Sequence, residues 1–130
     1  HHEIAPWGEL PSTRSQYLKA AGCLTDGSVR DVKRIRQMNF PVFAGNIGPL
    51  DSKHRGKLMW YDVPGKIHGV DVNSGDFIFG DVDGVVIVPQ KITAEVVEKA
   101  LQKVREENQV RGMLENGASL AKAFEEHGIL

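Results

Sequence analysis

Residues 22–45, GCLTDGSVRDVKRIRQMNFPVFAG, constrain the fold of this 130-residue chain more than any other stretch. Gly22, Cys23 and Leu24 make a short apolar run, and Thr25-Asp26-Gly27-Ser28 supplies turn chemistry, with Gly27 free to take a positive φ and Asp26 or Ser28 able to cap backbone donors. The spacing predicts that a strand ends there and that a helix runs from about Val29 to Met38, with Val32 and Ile35 on its apolar face and Lys33, Arg34 and Arg36 outside. Pro41 to Ala44 reads as the next strand. This order belongs to α/β folds, whose ligands sit just outside the carboxyl ends of parallel strands. Arg30 and Asp31 fall at that location, in the first turn of the expected helix. An Arg there can grip a carboxylate with its fork, a helix start favours anions, and an Asp can hold a hard divalent cation. The commoner reading of such a pair is a capping carboxylate beside a solvated cation, and local sequence leaves both open.

Along the rest of the chain there are no repeats, no low-complexity segment and no dividing linker, so residues 1–130 read as a single domain. Glu9 to Ala20 is expected as a helix ended by Gly22, and Gly45 to Gly56 as a loop. Lys57 to Val63, with Leu58, Met59, Trp60 and Tyr61, and Ile67 to Val72 are expected as strands. Phe77-Ile78-Phe79 and Val85-Val86-Ile87-Val88 flank the turn Gly80 to Gly84. Asp81 and Asp83 read as turn residues, since the other ligand positions of a calcium loop are missing. Thr93 is the expected N-cap of a helix reaching about Glu115, with Glu95–Lys99 and Lys103–Glu107 as i,i+4 pairs. Asn116-Gly117 breaks it, Ser119 caps a last short helix, and Gly128 stops that one. The whole reads as α/β with a mixed sheet.

Charge and composition exclude several classes. Sixteen basic and 17 acidic residues give a net charge of −1, with no electrostatic footprint for nucleic acid or an anionic membrane. No apolar run is long enough to span a bilayer and no signal-peptide pattern occurs, so the cytoplasm is the expected location. Cys23 is the single cysteine, has no zinc-type partner, and is expected to act as a buried small hydrophobe. His54, His68 and His127 belong to no paired motif and read as structural or solvated, and His1-His2 are given no metal role. No Lys lies in an apolar run of the kind that would favour Schiff-base chemistry.

Four segments, GCLTDGSVRD, NFPVFAG, SGDFIFGDVDGVVIVPQ and ENGASLAKAFEEHGIL, resemble in order and spacing the RraA-like family, from about Trp7 to Leu130. That family includes metal-dependent aldolases that cleave 4-hydroxy-4-methyl-2-oxoglutarate and decarboxylate oxaloacetate, and RraA regulators that bind ribonuclease E. The resemblance implies a swivelling β/β/α domain assembled as trimers or hexamers, here lacking the α/β segment that family members usually carry before Trp7-Gly8. It gives Arg30 the carboxylate and enolate of pyruvate, and Asp31 the role of direct ligand to Mg2+ or Mn2+. Gly8, Glu9 and Leu10 resemble the segment whose backbone N–H groups receive the substrate carboxylate, with Glu9 holding metal-bound water. Glu106 or Glu107 matches a carboxylate that reaches such water from a neighbouring subunit. Pro11 departs from the pattern by removing an N–H, and Arg34 puts a positive charge where the aldolases carry Glu or Asp. Two functions are therefore expected as alternatives: a lyase cleaving a small 2-oxo acid to pyruvate, or a non-catalytic regulator that binds a protein partner of ribonuclease type.

Overall fold

The segment ahead of the first long strand shapes the site, because it is laid against that strand before it turns into a helix. In the computed structural model, which describes residues 3–128, Trp7 bridges Val29 in parallel, Ser28 N–H donates to the Ile4 carbonyl at 3.1 Å, and Arg30 N–H donates to the Trp7 carbonyl at 2.9 Å. Helix α1, Glu9–Tyr17, follows at once, with Gly8 as its N-cap. It stops short of the expected Ala20, because Leu18 ends it and Lys19 turns left-handed at φ 61°.

Strand β1, Cys23–Val29, runs straight through the residues expected to turn. It pairs in parallel with β2, Val42–Ile47, in the register Cys23↔Val42, Leu24↔Phe43 and Thr25↔Ala44, then slips and resumes at Ser28↔Asn46 and Val29↔Ile47. The slip takes up Asp26 and Gly27 as a bulge, which meets the turn chemistry without ending the strand. Gly27 does not take a positive φ; its N–H donates to Thr25 Oγ1 at 3.1 Å. The helix accordingly begins later than expected. Helix α2 spans Val32–Gln37, Asp31 is its N-cap in the left-handed region (φ 58°, ψ 28°), and Arg30 stands before it rather than in its first turn. Ala5, Val29, Ile35 and Phe40 are buried around this arrangement, together with two polar residues, Ser12 and Ser28.

The expected strand at 57–63 does not form. Leu58, Met59, Trp60 and Tyr61 are 61–84% exposed, and none of the described residues pairs with them in a ladder, without which extended backbone has no partner for its polar groups. The expected strand at 67–72 is a hairpin: β3, Gly65–Ile67, pairs antiparallel with β4, Val70–Val72. Its two turn residues, His68 and Gly69, have φ of 46° and 83°, the sign that a two-residue turn matched to strand twist requires. β5, Phe77–Gly80, and β6, Val85–Val88, pair as expected across a turn in which Asp83 N–H donates to Asp81 Oδ1 at 2.9 Å. Instead of one mixed sheet, the described residues form three two-stranded ladders, one of them parallel.

The chain divides into two compact units, the first ending at Ile87 and the second beginning at Val88. In the second, a 3-10 turn at Gln90–Ile92 leads into α3, Thr93–Glu115, followed by α4, Leu120–His127. Thr93 is the first helical residue rather than the N-cap, since the 3-10 turn precedes it and its Oγ1 donates back to the Pro89 carbonyl at 3.2 Å. Ser119 does cap α4, accepting from Lys122 N–H at 3.2 Å, and Gly128 ends it at φ 67°. Among the described residues no helix is long and apolar enough to cross a membrane.

Candidate functional site

Arg30 and Asp31 lie where β1 has ended and α2 has not begun, so neither side chain is committed to a ladder or a helix face. The bulge in β1 and the left-handed conformation of Asp31 together aim them at the start of α1. There Glu9 N–H, the first orphan donor of α1, donates to Asp31 Oδ2 at 3.1 Å. Arg30 Nε lies 3.7 Å from the same oxygen, and Arg30 Nη1 donates to the carbonyl of the buried Ala5. Non-glycine residues rarely hold φ near +60°, and such strain persists only where the surroundings over-determine it. The bond from Glu9 and the ion pair with Arg30 are those surroundings.

Gly8 makes the approach possible. A Cβ on it would stand 2.7 Å from Asp31 Oδ2 and 2.9 Å from Arg30 Cγ. Ser12 fixes this glycine from the other side: its Oγ, fully buried, donates to the Gly8 carbonyl at 2.8 Å and accepts from Trp7 Nε1 at 2.8 Å. Thr13 Oγ1 donates to the Glu9 carbonyl at 3.0 Å and to Glu9 Oε1 at 3.2 Å. Sequence reasoning found Gly8, Glu9, Leu10, Arg30 and Asp31, which the fold brings together. It missed Ser12, Trp7 and Ala5, whose only signal was a serine and a tryptophan bracketing the start of a polar helix.

These groups open on a cleft of about 550 Å³ lined by Glu9, Leu10, Arg30, Asp31, Val32, Lys33 and Arg34. The donors suited to a cation are carboxylate oxygens, Asp31 and Glu9; among the described residues no group of three His, Cys, Asp or Glu side chains converges. Two hard oxygen donors suit magnesium or manganese, which take one or two carboxylates and keep several waters, and they do not suit a zinc site or a calcium cage. At the start of α1, Glu9 N–H is occupied by Asp31 and Pro11 has none, so of the N–H groups there those of Gly8 and Leu10 are left to meet a ligand. Glu106 and Glu107 lie on α3 in the second unit, where Glu106 accepts from Gln102 at 2.9 Å and Glu107 lies 3.7 Å from Lys103. Cys23 lies outside the cleft, in a separate hollow beside Phe43 and Asp76, half-buried, and burial pushes its thiol up to about 11. His54 is exposed, and His127 Nε2 lies 3.1 Å from Met113 Sδ, in keeping with structural or solvated roles.

The family model described as RraA-like, Aldolase/RraA, matches residues 1–87, which contain the whole cleft. The chain belongs to the RraA-like family. This RraA-like chain is 33% identical over 121 residues to Protein DlpA of Legionella pneumophila, covering 93% of this chain and 20% of that protein. It is 36% identical over 70 residues to a 4-hydroxy-4-methyl-2-oxoglutarate aldolase of Thermus thermophilus, covering 54% of this chain and 42% of the relative. A crystal structure of an uncharacterized protein from Pseudomonas syringae superimposes with a TM-score of 0.91 at 28% identity, over 95% of this chain and 62% of that one. In each case the chain spans less than two thirds of its relative's length.

Proposed function

We propose that this RraA-like chain carries the site of a divalent-metal-dependent lyase that breaks a C–C bond of a small 2-oxo acid, such as 4-hydroxy-4-methyl-2-oxoglutarate or oxaloacetate, to give pyruvate. The observation that supports it is the junction itself: Glu9 N–H on Asp31 Oδ2, with Arg30 beside them, opening on one cleft. The name of the Thermus relative points the same way. Mg2+ or Mn2+, held directly by Asp31 and through water by Glu9, would supply Lewis-acid polarisation of the 2-oxo group.

The chain's own groups do the rest. Arg30 spends one of its five N–H donors on Ala5, and the remainder of its fork can take the carboxylate of the pyruvate half. There it offsets the negative charge that develops as the bond between C3 and C4 breaks and its electron pair moves into the pyruvate half as an enolate. Leu10 N–H adds a neutral donor to the same carboxylate. In the aldol cleavage the 4-hydroxyl gives up a proton and C3 takes one back; with oxaloacetate the departing group is CO2 and only C3 is protonated. Glu9 is the carboxylate placed to order the water that moves those protons. A carboxylate from a neighbouring subunit, Glu106 or Glu107, completes the proposed site in a homotrimer or hexamer in the cytoplasm.

The test is pyruvate release from both substrates with and without magnesium. Release above the free-metal background is expected, and it should vanish with chelator and in Asp31→Asn. Activity that survives both would overturn the metal role. One observation favours a second reading, a non-catalytic regulator that binds a protein of ribonuclease type: the start of α1 has fewer N–H groups to offer a ligand, because Pro11 has none and Asp31 occupies that of Glu9. No pyruvate release, with stoichiometric inhibition of a ribonuclease, would decide for it.

A further inference from the structure

The segment expected as a strand at 57–63 keeps the side chains of a strand without its pairing. Leu58, Met59, Trp60, Tyr61 and Val63 are exposed, and among the described residues the backbone of 57–61 makes no hydrogen bond. None of 57–61 has a positive φ, so the stretch is free to extend; Asp62, left-handed at φ 53° and accepting from Ser74 Oγ at 2.6 Å, ends it. At about 200 Å² for an exposed aromatic side chain and about 100 Å² for an aliphatic one, the five offer on the order of 700 Å² of apolar surface. The largest apolar patch on a typical monomer is about 300–600 Å², and each partner gives about 600–1,000 Å² to a standard interface. Met, Trp and Tyr, here consecutive, are also the residues in which interface cores are enriched.

We propose that 57–61 pairs antiparallel with the same segment of a second copy of this chain, across a two-fold axis at Met59. The occupant is a second copy because the segment complements itself. With Met59 opposite Met59 of the other copy, Leu58 comes opposite its Trp60, and Lys57 opposite its Tyr61. Aliphatic then meets aromatic on one face. On the other, Lys57, exposed and without a partner among the described residues, reaches an aromatic ring as a cation–π pair, and no like charges are opposed. The pairing satisfies the backbone donors and acceptors of both copies. A two-fold contact also closes on itself, so an apolar edge that would otherwise invite open-ended association is consumed. The contact lies outside the cleft beside Arg30 and Asp31 and is independent of the lyase reading and of any three-fold assembly.

Light scattering of the wild-type chain at micromolar concentration should give an even number of chains. Trp60→Asp should halve that mass and leave far-UV circular dichroism unchanged, since the side chain is exposed within its own chain. Met59→Cys reads the register without loading the surface with charge: oxidised with diamide, cysteines opposite each other across the axis should link most chains into covalent dimers. Val82→Cys, exposed on the turn after β5 and outside the segment, should link few. An odd number of chains in wild type, a monomer included, overturns the proposal and leaves the segment to an unlike protein. A mass unchanged in a folded Trp60→Asp, or Met59→Cys linking no better than Val82→Cys, overturns it as well. Should Trp60→Asp fail to fold, the wild-type mass and Met59→Cys decide.

Discussion

At the scale of single residues, the site depends on the missing side chain of Gly8. The backbone of Gly8 is extended (φ −160°), a conformation open to any residue, so Gly8→Ala acts through the 2.7 Å approach to Asp31 Oδ2 and not through strain. Overpacking of this kind costs about 1–3 kcal/mol. Gly8→Ala is expected to lower kcat/KM for oxaloacetate by about tenfold or more, while far-UV circular dichroism stays unchanged. Arg30 tests the carboxylate grip. Lysine cannot reproduce two parallel bonds, so Arg30→Lys should lose about as much kcat/KM as Arg30→Ala, at least about tenfold. The bond to the Ala5 carbonyl adds a stability effect: Arg30→Ala should lower the free energy of unfolding by about 1–3 kcal/mol, because a buried carbonyl loses its donor. Full activity in Arg30→Lys would remove the carboxylate role. Cys23 gives the pH dependence. Burial raises its thiol from the ordinary 9.0 to about 11 in the folded chain, so the unfolded chain loses the proton first as pH rises. Folding stability is then unaffected by this group below pH 9 and declines as pH climbs from 9 toward 11. Denaturant midpoints across that range should fall less steeply in Cys23→Ala than in wild type.

At the scale of elements, the six residues of α2 are too few to hold a helix on their own, and the packing of Ile35 keeps it in place. The amphipathic pattern of 29–38 was legible in the sequence, and so was the strand after it. The start of the helix was not. Thr25-Asp26-Gly27-Ser28 has the composition of a turn, but β2 supplies pairing partners on both sides of it, at Ala44 and at Asn46, so the chain bulges and continues. The hairpin at His68-Gly69 went unread for the opposite reason: neither residue stands out in an apolar stretch, yet both take positive φ. Gly69→Ala is expected to lower stability by about 1–2 kcal/mol, the cost of placing a Cβ in the left-handed region. Loss of amide protection confined to 65–72 by hydrogen exchange would locate the effect, and unchanged protection there would refute it.

At the scale of the whole molecule, the proposed site is complete only if Glu106 or Glu107 arrives from another copy. Light scattering should therefore give an oligomer, with a mass that is a multiple of three chains if the assembly is the one the family resemblance implies. Activity per chain should fall on dilution, and Glu106→Gln or Glu107→Gln should reduce it without changing the mass; a fully active monomer would exclude a shared site. By itself the sequence determined the class of fold and the elements of the second unit to within a few residues, and the family resemblance singled out Gly8, Glu9, Leu10, Arg30 and Asp31 as candidates, because periodicity, caps and short motifs are local properties of a chain. Only the tertiary structure decided what these residues do to one another. Asp31 lies 22 positions from Glu9 yet accepts its N–H, and Ser12, unremarkable in a polar helix, is buried because Trp7 and Gly8 close over it. Whether a turn ends a strand or bulges within it, and whether 57–63 pairs at all, depends on partners that are distant in sequence, and no local propensity specifies them.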